Sequence, residues 1–361
     1  MKTRDLHVES NRPLVPPAIL LDELPLTEAG SQVVADAREE IIHVLNGDDD
    51  RLLVVVGPCS VHDPRAALDY AGRLKTCASR LAADLRVVMR VYFEKPRTTV
   101  GWKGLINDPH LDGSFAVNEG LRLARRLLLD LVELGLPSGC EFLDPITPQF
   151  ISDLVAWGAI GARTTESQVH RELASGLSMP VGFKNGTDGG IQIAIDAVRA
   201  ASHPHRFIGV TEQGLAGIVA TRGNPDCHII LRGGATGPNY DAASVQKALA
   251  ALRAAGAAQR LLIDASHGNS GKDYLRQPAV VREIAAQVAQ GEAGIAGVML
   301  ESFLVDGRQA LQDPKRLVYG QSVTDACLGW EKTVPVLEEL AAAVRARRGS
   351  RIAESPLDLR S

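Results

Sequence analysis

Short apolar segments rich in β-branched residues recur along the chain, and longer amphipathic stretches separate them. Such runs are typical of strands that are buried on both faces of a parallel sheet. We predict eight strands, at residues 52–59, 86–93, 139–143, 158–163, 180–184, 227–232, 261–265 and 297–301. Because eight strand–helix units alternate without a dinucleotide-binding glycine motif, the pattern predicts an α/β fold with a closed (β/α)8 TIM barrel.

Three segments depart from this alternation. Residues 1–45 precede the first strand as an N-terminal extension. Residues 94–113 form a long loop rich in glycine, proline and charge, of the kind that covers an active site. Residues 206–222 predict an inserted β-hairpin. The barrel domain accordingly spans residues 46–345, and we expect the basic tail after it, up to the last residue, 361, to be disordered.

Composition and charge narrow the functional classes. Of 361 residues, 45% are hydrophobic and 23% charged, which suits a protein with a large buried core. The net charge of −4 argues against a nucleic-acid or membrane-surface partner. Five scattered cysteines without a CxxC pair, and an N-terminus without an apolar run, favour a reduced, cytoplasmic protein.

Polar residues follow the predicted strand ends, where barrel enzymes place their reacting groups. One subset consists of Cys59, His267, Glu301 and Asp325. In a closed barrel the first, seventh and eighth strand ends are neighbours, which would gather this thiol, imidazole and carboxylate set around Mn²⁺, Fe²⁺, Co²⁺ or Zn²⁺. Taken singly, each has an ordinary alternative: a buried thiol, a hydrogen-bonded loop histidine, or carboxylates that cap helices.

Basic residues form a second subset, namely Arg90, Lys95, Arg97, Lys103, Arg163, Lys184 and Arg232. An isolated surface cation is usually solvated, but most of these residues end strands that are otherwise apolar. Several cations at one barrel mouth require anions to neutralise them, and guanidinium groups suit phosphate and carboxylate. We therefore expect a substrate with both groups, and a second phosphorylated substrate.

Nine motifs in the chain resemble those of one enzyme family. They are GPCSVHDP (57–64), RVYFEKPRTTVGWKG (90–104), EFLDPITPQ (141–149), GARTTESQ (161–168), GFKNGTDG (182–189), ILRGG (230–234), DASHGNS (264–270), MLES (299–302) and SVTDAC (322–327). Over about residues 12–345 the chain resembles the microbial type I 3-deoxy-D-arabino-heptulosonate 7-phosphate (DAHP) synthases. The resemblance implies a metal-dependent condensation of phosphoenolpyruvate with erythrose 4-phosphate and water, the first step of the shikimate pathway.

The resemblance also implies roles for individual residues. The expected metal ligands are Cys59, His267, Glu301 and Asp325. The expected substrate contacts are Arg90, Lys95, Arg97, Thr98, Glu141, Ala162, Arg163, Lys184 and Arg232, with Arg97 and Thr98 on the aldose phosphate. The expected catalytic residues are Lys95, Glu141, Cys59 and His267, of which Lys95 and the metal would polarise the aldehyde and Glu141 would activate water.

Feedback inhibition by an aromatic amino acid is a further implication. The expected effector residues are Gln149, Leu173, Leu177, Ser178, Phe207, Gly209 and Val219. In the family a glycine at the position of Gly209 goes with tyrosine sensitivity and a serine with phenylalanine sensitivity, although hairpin backbone freedom also explains a glycine. We expect the N-terminal extension to serve effector binding and assembly of a homodimer or homotetramer.

Three rival functions stay open. The sister enzyme that uses arabinose 5-phosphate generally has a shorter chain, and KPRTTVGWKG speaks against it. A Schiff-base aldolase would use Lys184 and would be trapped by borohydride. A catalytically inactive regulatory partner would fold without binding metal.

Overall fold

The chain forms a closed parallel barrel in the computed structural model, which describes residues 3–354 except residues 98 and 312. Its strands are β1 (Leu52–Gly57), β2 (Leu85–Arg90), β3 (Ser138–Glu141), β4 (Trp157–Ile160), β5 (Val181–Lys184), β6 (Arg206–Val210), β7 (Ala216–Ala220), β8 (His228–Leu231), β9 (Leu261–Asp264) and β10 (Ile295–Glu301). The barrel order is β1-β10-β9-β8-β5-β4-β3-β2. The predicted (β/α)8 barrel is confirmed, and each predicted strand overlaps an observed one.

Helices surround the barrel because their apolar faces pack on the strands. They are α1 (Pro17–Glu23), α2 (Glu28–Asn46), α3 (Pro64–Arg80), α4 (Val117–Glu133), α5 (Pro148–Ile151), α6 (Gln168–Ala174), α7 (Gln192–Ala201), α8 (Ala242–Ala254), α9 (Gln277–Ala289) and α10 (Trp330–Glu354). Short 3-10 turns lie at Ser152–Leu154, Tyr274–Arg276 and Pro314–Arg316. Helix α3 begins where the Asp63 side chain accepts hydrogen bonds from the backbone N–H groups of Arg65 and Ala66. None of the helices in the described residues is long and apolar enough to cross a membrane.

The core has two layers, as expected for strands buried on both faces. Alternate residues of β1, including Val54, pack with the surrounding helices, whereas Leu53 and its counterparts on other strands form the barrel interior. Ile41 and Val44 of α2 join the interior cluster. The N-terminal extension therefore closes one end of the barrel and leaves the carboxyl ends of the strands open.

The inserted hairpin is also present, since β6 and β7 pair antiparallel outside the barrel. Its turn contains Gly214 at φ 79°, a left-handed conformation that favours glycine. The turn contacts the N-terminal extension, because the Ala18 N–H donates to the Glu212 carbonyl oxygen at 2.7 Å.

The prediction of a disordered tail was wrong for residues 346–354, which continue helix α10. Arg348 of the tail donates from Nε to Asp50 Oδ2 and from Nη1 to Asp84 Oδ1, both at 2.8 Å. These pairs hold the basic turn of the helix against acidic residues beside β1 and β2. Residues 355–361 lie outside the described residues.

Candidate active site

The closed barrel brings the predicted metal ligands together. Residue pairing between β1 and β10 sets Gly57 opposite Glu301, so Cys59 follows β1 beside that carboxylate. The candidate ligand atoms of Cys59, Glu301 and Asp325 all lie within 4.8 Å of one another. One thiol and two carboxylates within this distance fit a divalent transition metal.

His267 lies at the edge of this cluster. Its Nε2 is 3.7 Å from Glu301 Oε1, and its Nδ1 is 2.8 Å from Asp264 Oδ2. Because Nδ1 faces a carboxylate, we infer that Nδ1 carries the proton and that the Nε2 lone pair is free for a ligand bond. The residue has φ 53°, a conformation that non-glycine residues adopt rarely and often at functional sites. The four residues thus fit a metal that has nitrogen, sulfur and oxygen ligands.

Lys95 places a positive charge against the same cluster. Its Nζ is 2.8 Å from Cys59 Sγ and 2.9 Å from Asp325 Oδ2. Burial alone would lower the pKa of the Lys95 ammonium, but Cys59 and the nearby carboxylates raise it, so the group is cationic. Burial, and then the Glu301 carboxylate, raise the pKa of the Cys59 thiol to about 11. Such a thiol becomes a ligand when a metal ion displaces its proton.

Arg90 lies beneath the cluster and is 2% exposed. Its Nε donates to the Pro58 carbonyl oxygen, and its Nη2 donates to the Cys59 carbonyl oxygen and to Glu301 Oε1, each at 3.1 Å. The guanidinium also stacks 3.5 Å from the centroid of the Tyr92 ring. Arg90 therefore fixes the backbone of one candidate metal ligand and the carboxylate of another.

A cavity of about 920 Å³ opens beside the cluster. Its wall includes the predicted site residues Lys95, Arg97, Glu141, Ala162, Arg163, Lys184, Arg232, His267, Glu301 and Asp325. A volume near 1,000 Å³ is large for one small ligand, and it suits two phosphorylated substrates together. Lys103, which was also predicted, is not part of this wall. Its carbonyl oxygen accepts a hydrogen bond from the Lys95 backbone N–H at 2.9 Å. Thr98 lies outside the described residues.

Neighbouring backbone fixes the orientation of several wall residues. Arg163 Nη1 donates to the Pro96 carbonyl oxygen at 3.3 Å, which joins the end of β4 to the loop 94–113. The Glu141 carboxylate lies against Gly161, where a Cβ atom would be 2.1 Å from Glu141 Oε1. Glycine is therefore required at 161 for the Glu141 carboxylate to occupy this place.

Two buried residues that the sequence analysis did not single out also hold the site. Asp264 Oδ2 is 2.8 Å from Lys184 Nζ, so the Lys184 ammonium is ion-paired, which argues against its use as a free amine nucleophile. Burial would raise the pKa of the Asp264 carboxyl, but His267 and Lys184 hold it well below its usual value. The Gln277 side chain forms two hydrogen bonds with the backbone of Glu301. Its Nε2 donates to the Glu301 carbonyl oxygen at 3.0 Å, and its Oε1 accepts from the Glu301 N–H at 2.9 Å. An acid that ends the apolar run LLID was a visible signal for Asp264, whereas Gln277 had none.

The predicted effector residues fall on the hairpin, on α6 and the residues after it, and on α5. Phe207 pairs with Val219 across the hairpin, and Gly209 shares their face because side chains alternate along a strand. Leu173 belongs to α6, Leu177 and Ser178 follow this helix, and Gln149 belongs to α5. Asn224 Nδ2, beyond β7, donates to the Leu177 carbonyl oxygen at 3.2 Å.

Gly209 is not explained by backbone freedom, since its φ lies outside the left-handed region. A Cβ atom at this position would lie 2.6 Å from Val219 Cγ2, so a larger residue would displace Val219. The glycine therefore lets Val219 pack close to the backbone of β6.

Arg125 connects the N-terminal extension with the segment that carries Gln149. This guanidinium is 1% exposed. It donates to the Leu24 carbonyl oxygen at 2.8 Å and to the Phe150 carbonyl oxygen at 2.9 Å, and it forms a two-bond ion pair with Asp153. The extension and α5 are thus held by one buried side chain.

The closed barrel, the Cys59, Glu301 and Asp325 cluster and the cations that line the cavity suit an enzyme class that handles phosphorylated substrates, and comparisons with known proteins identify the family. The model of the DAHP synthetase I family matches residues 27–338. The Phe-sensitive phospho-2-dehydro-3-deoxyheptonate aldolase of Escherichia coli K12 is 58% identical over 345 residues, which cover 96% of this chain and 98% of that protein. The tyrosine-inhibited enzyme of Schizosaccharomyces pombe is 55% identical over 353 residues, which cover 95% and 94%.

A solved structure agrees with these sequence matches. The phospho-2-dehydro-3-deoxyheptonate aldolase of Francisella tularensis SCHU S4 superposes with a TM-score of 0.93 and 52% identity, over 95% of this chain and 100% of that chain. The chain belongs to the DAHP synthetase I family. Its enzyme class is that of the 3-deoxy-7-phosphoheptulonate synthases, as the motifs predicted.

Proposed function

We propose that the chain condenses phosphoenolpyruvate with D-erythrose 4-phosphate and water to give DAHP and inorganic phosphate, with a bound divalent transition metal. One observation carries the proposal. A single cavity places the Cys59, Glu301 and Asp325 cluster beside a wall of cations that includes Arg163 and Arg232. The names of the related proteins support the same reaction.

The metal would be Mn²⁺, Fe²⁺, Co²⁺ or Zn²⁺, held by Cys59, His267, Glu301 and Asp325. When bound, it supplies a Lewis acid that polarises a carbonyl oxygen. The buried thiol favours these ions over Mg²⁺ and Ca²⁺, which prefer oxygen ligands alone.

The cationic wall would hold and orient both substrates. Arg163, Lys184 and Arg232 would neutralise the phosphate and carboxylate of phosphoenolpyruvate, and Arg97 with Thr98 would hold the aldose phosphate. Holding two reactants in line is worth about 7–11 kcal/mol of the activation barrier. Lys95 would donate a hydrogen bond to the aldehyde oxygen as negative charge develops there, which contributes a few kcal/mol more.

Glu141 would handle the proton of the attacking water. Carbon three of phosphoenolpyruvate forms the new bond to the aldehyde carbon as its double bond to carbon two opens. A water oxygen adds at carbon two and gives one proton to the Glu141 carboxylate, and this proton replaces, through solvent, the one that the aldehyde oxygen takes up. The C–O bond to phosphate then breaks while the hydroxyl at carbon two passes its proton to the departing phosphate and becomes the ketone oxygen, so inorganic phosphate leaves with the bridging oxygen.

The reaction is tested with purified, metal-loaded protein, phosphoenolpyruvate and erythrose 4-phosphate. Loss of the enol absorbance and formation of the seven-carbon product are expected, and a chelator should abolish both. Turnover with arabinose 5-phosphate instead would favour the sister enzyme. Inactivation by borohydride in the presence of substrate would favour the Schiff-base aldolase, and absence of turnover with every metal would favour the inactive partner.

We also propose that tyrosine is the feedback inhibitor. The support is the glycine at position 209, which in the family goes with tyrosine sensitivity. A side chain there would meet Val219 Cγ2 and would take up room for a phenol oxygen on the effector face of the hairpin. The related proteins include both a Phe-sensitive and a tyrosine-inhibited enzyme, so their names do not decide between effectors. Inhibition curves with tyrosine, phenylalanine and tryptophan test the proposal, and a response to phenylalanine alone contradicts it.

Assembly into a homodimer or homotetramer in the cytoplasm completes the proposal. The outer face of the hairpin exposes Ile208 by 88% and Ile218 by 82%, and the turn exposes Leu215 by 66%. An apolar surface of this kind is typical of a subunit contact. Light scattering after size-exclusion chromatography should give two or four chains, and Ile208→Asp should lower that number. The five cysteines are all free thiols, which suits a reducing compartment.

A further inference from the structure

Asp264 touches both functional parts of the site. Its carboxyl group ends β9 and is 1% exposed. Oδ2 lies 2.8 Å from Lys184 Nζ and 2.8 Å from His267 Nδ1. Oδ1 accepts from the Ser266 N–H at 2.9 Å and from the Ser266 hydroxyl at 2.5 Å. Both oxygens are therefore fully engaged, and the carboxylate has one orientation.

The two partners of Oδ2 come from different parts of the barrel. Lys184 ends β5, whereas His267 follows β9, and β8 lies between these strands. Under the proposed function, Lys184 binds phosphoenolpyruvate and His267 binds the metal. Lys184 is buried, and Asp264 provides the counter-charge that a buried ammonium group requires.

We infer that Asp264 is a positioning residue that prepares the metal site and the phosphoenolpyruvate site together. The inference rests on the proposed function. By accepting from Nδ1, Asp264 fixes the ring of His267 so that Nε2 faces Glu301. By accepting one hydrogen bond from Lys184, it leaves two ammonium protons for an anion in the cavity. One carboxylate thus sets a metal ligand and a substrate ligand.

The variant Asp264→Asn tests the inference because it keeps the volume and removes the charge. An amide has one oxygen, so in either rotamer its NH₂ group faces donors, either Ser266 N–H or Lys184 and His267. Loss of the carboxylate partner of a metal-binding histidine typically lowers metal affinity about 10–100-fold. We expect a loss of this size for Co²⁺, and a parallel loss of affinity for phosphoenolpyruvate at saturating Co²⁺.

Both affinities are measured without turnover. Co²⁺ binding is followed by the thiolate-to-metal absorbance, and phosphoenolpyruvate binding by calorimetry on the Co²⁺-loaded protein. Lys184→Met should weaken phosphoenolpyruvate binding and leave Co²⁺ affinity close to wild type. Asp196→Asn removes a surface carboxylate of α7 that accepts from Gln192, and it should change neither affinity.

The outcomes separate this inference from the proposed function. A wild-type protein that binds neither Co²⁺ nor phosphoenolpyruvate contradicts the proposed function. A wild type that binds both, with an Asp264→Asn variant that loses one affinity or none, overturns the inference. If that variant does not fold, Ser266→Ala carries the test. It removes the hydroxyl that donates to Asp264 Oδ1 and lies 2.8 Å from His267 Nδ1, while the backbone N–H of residue 266 still donates to Oδ1. It should lower both affinities by a smaller factor, and a loss of only one, or of neither, overturns the inference.

Discussion

Replacing Arg90 by methionine should strongly destabilise the protein, because Arg90 is the buried partner of Glu301. The two side chains are 2% and 5% exposed, so little solvent replaces the lost interaction. Removing one member of a buried ion pair costs about 3–5 kcal/mol of unfolding free energy. Two carbonyl oxygens, of Pro58 and Cys59, also lose their guanidinium donors. We therefore expect a loss at the upper end of this range.

A double variant separates the charge effect from the packing effect. In Arg90→Met/Glu301→Gln no uncompensated carboxylate is left, so about 1–3 kcal/mol should be recovered as coupling energy. Urea denaturation curves of the metal-free proteins, all recorded at one protein concentration, give the unfolding free energies. Arg80→Met is the matched control, since Arg80 forms an exposed pair with Glu338, and its loss should change the unfolding free energy little. An Arg90→Met loss no larger than this control, or a double variant no more stable than the single one, would refute the reasoning.

Three further predictions concern catalysis, pH and regulation. Glu141→Gln should lower kcat about 100-fold or more with little change in KM for phosphoenolpyruvate, and near-wild-type turnover would remove Glu141 from the mechanism. Burial, and then the Asp144 carboxylate, raise the pKa of Glu94 to about 8, above its ordinary value. Its neutral form is favoured in the folded state, so wild-type stability should fall as pH rises from 5 to 9, by on the order of 3 kcal/mol relative to Glu94→Gln in urea denaturation. Gly209→Ser should displace Val219 and weaken inhibition by tyrosine at least several-fold, and unchanged inhibition curves would contradict the role given to this position.

The barrel could be predicted from sequence because its strands are buried on both faces. Continuous apolar runs such as LLVVV at the start of β1 are rare outside buried strands, and their number fixes the architecture. The site followed from the same reasoning, since parallel strands place their carboxyl ends at one mouth. Cys59 and Glu301 could be expected to meet once β1 and β10 closed the barrel.

Other features depend on contacts that have no local signal. Asp264 acts through Lys184, which lies two strands away in the barrel, and Gln277 acts through the backbone of Glu301. The basic tail has the composition of a disordered segment, but Arg348 meets Asp50 and Asp84 only in the folded protein. Long-range ion pairs of this kind override local composition.

The central claim, a metal-dependent condensation at this barrel mouth, is tested most directly with phosphoenolpyruvate that carries ¹⁸O in its bridging oxygen. The labelled substrate is mixed with erythrose 4-phosphate and protein loaded with each of the four metals, and a chelated sample runs in parallel. Mass spectrometry should show DAHP and inorganic phosphate that retains the ¹⁸O label, and the chelated sample should give neither. No DAHP with any metal, or equal amounts with and without the chelator, would contradict the account.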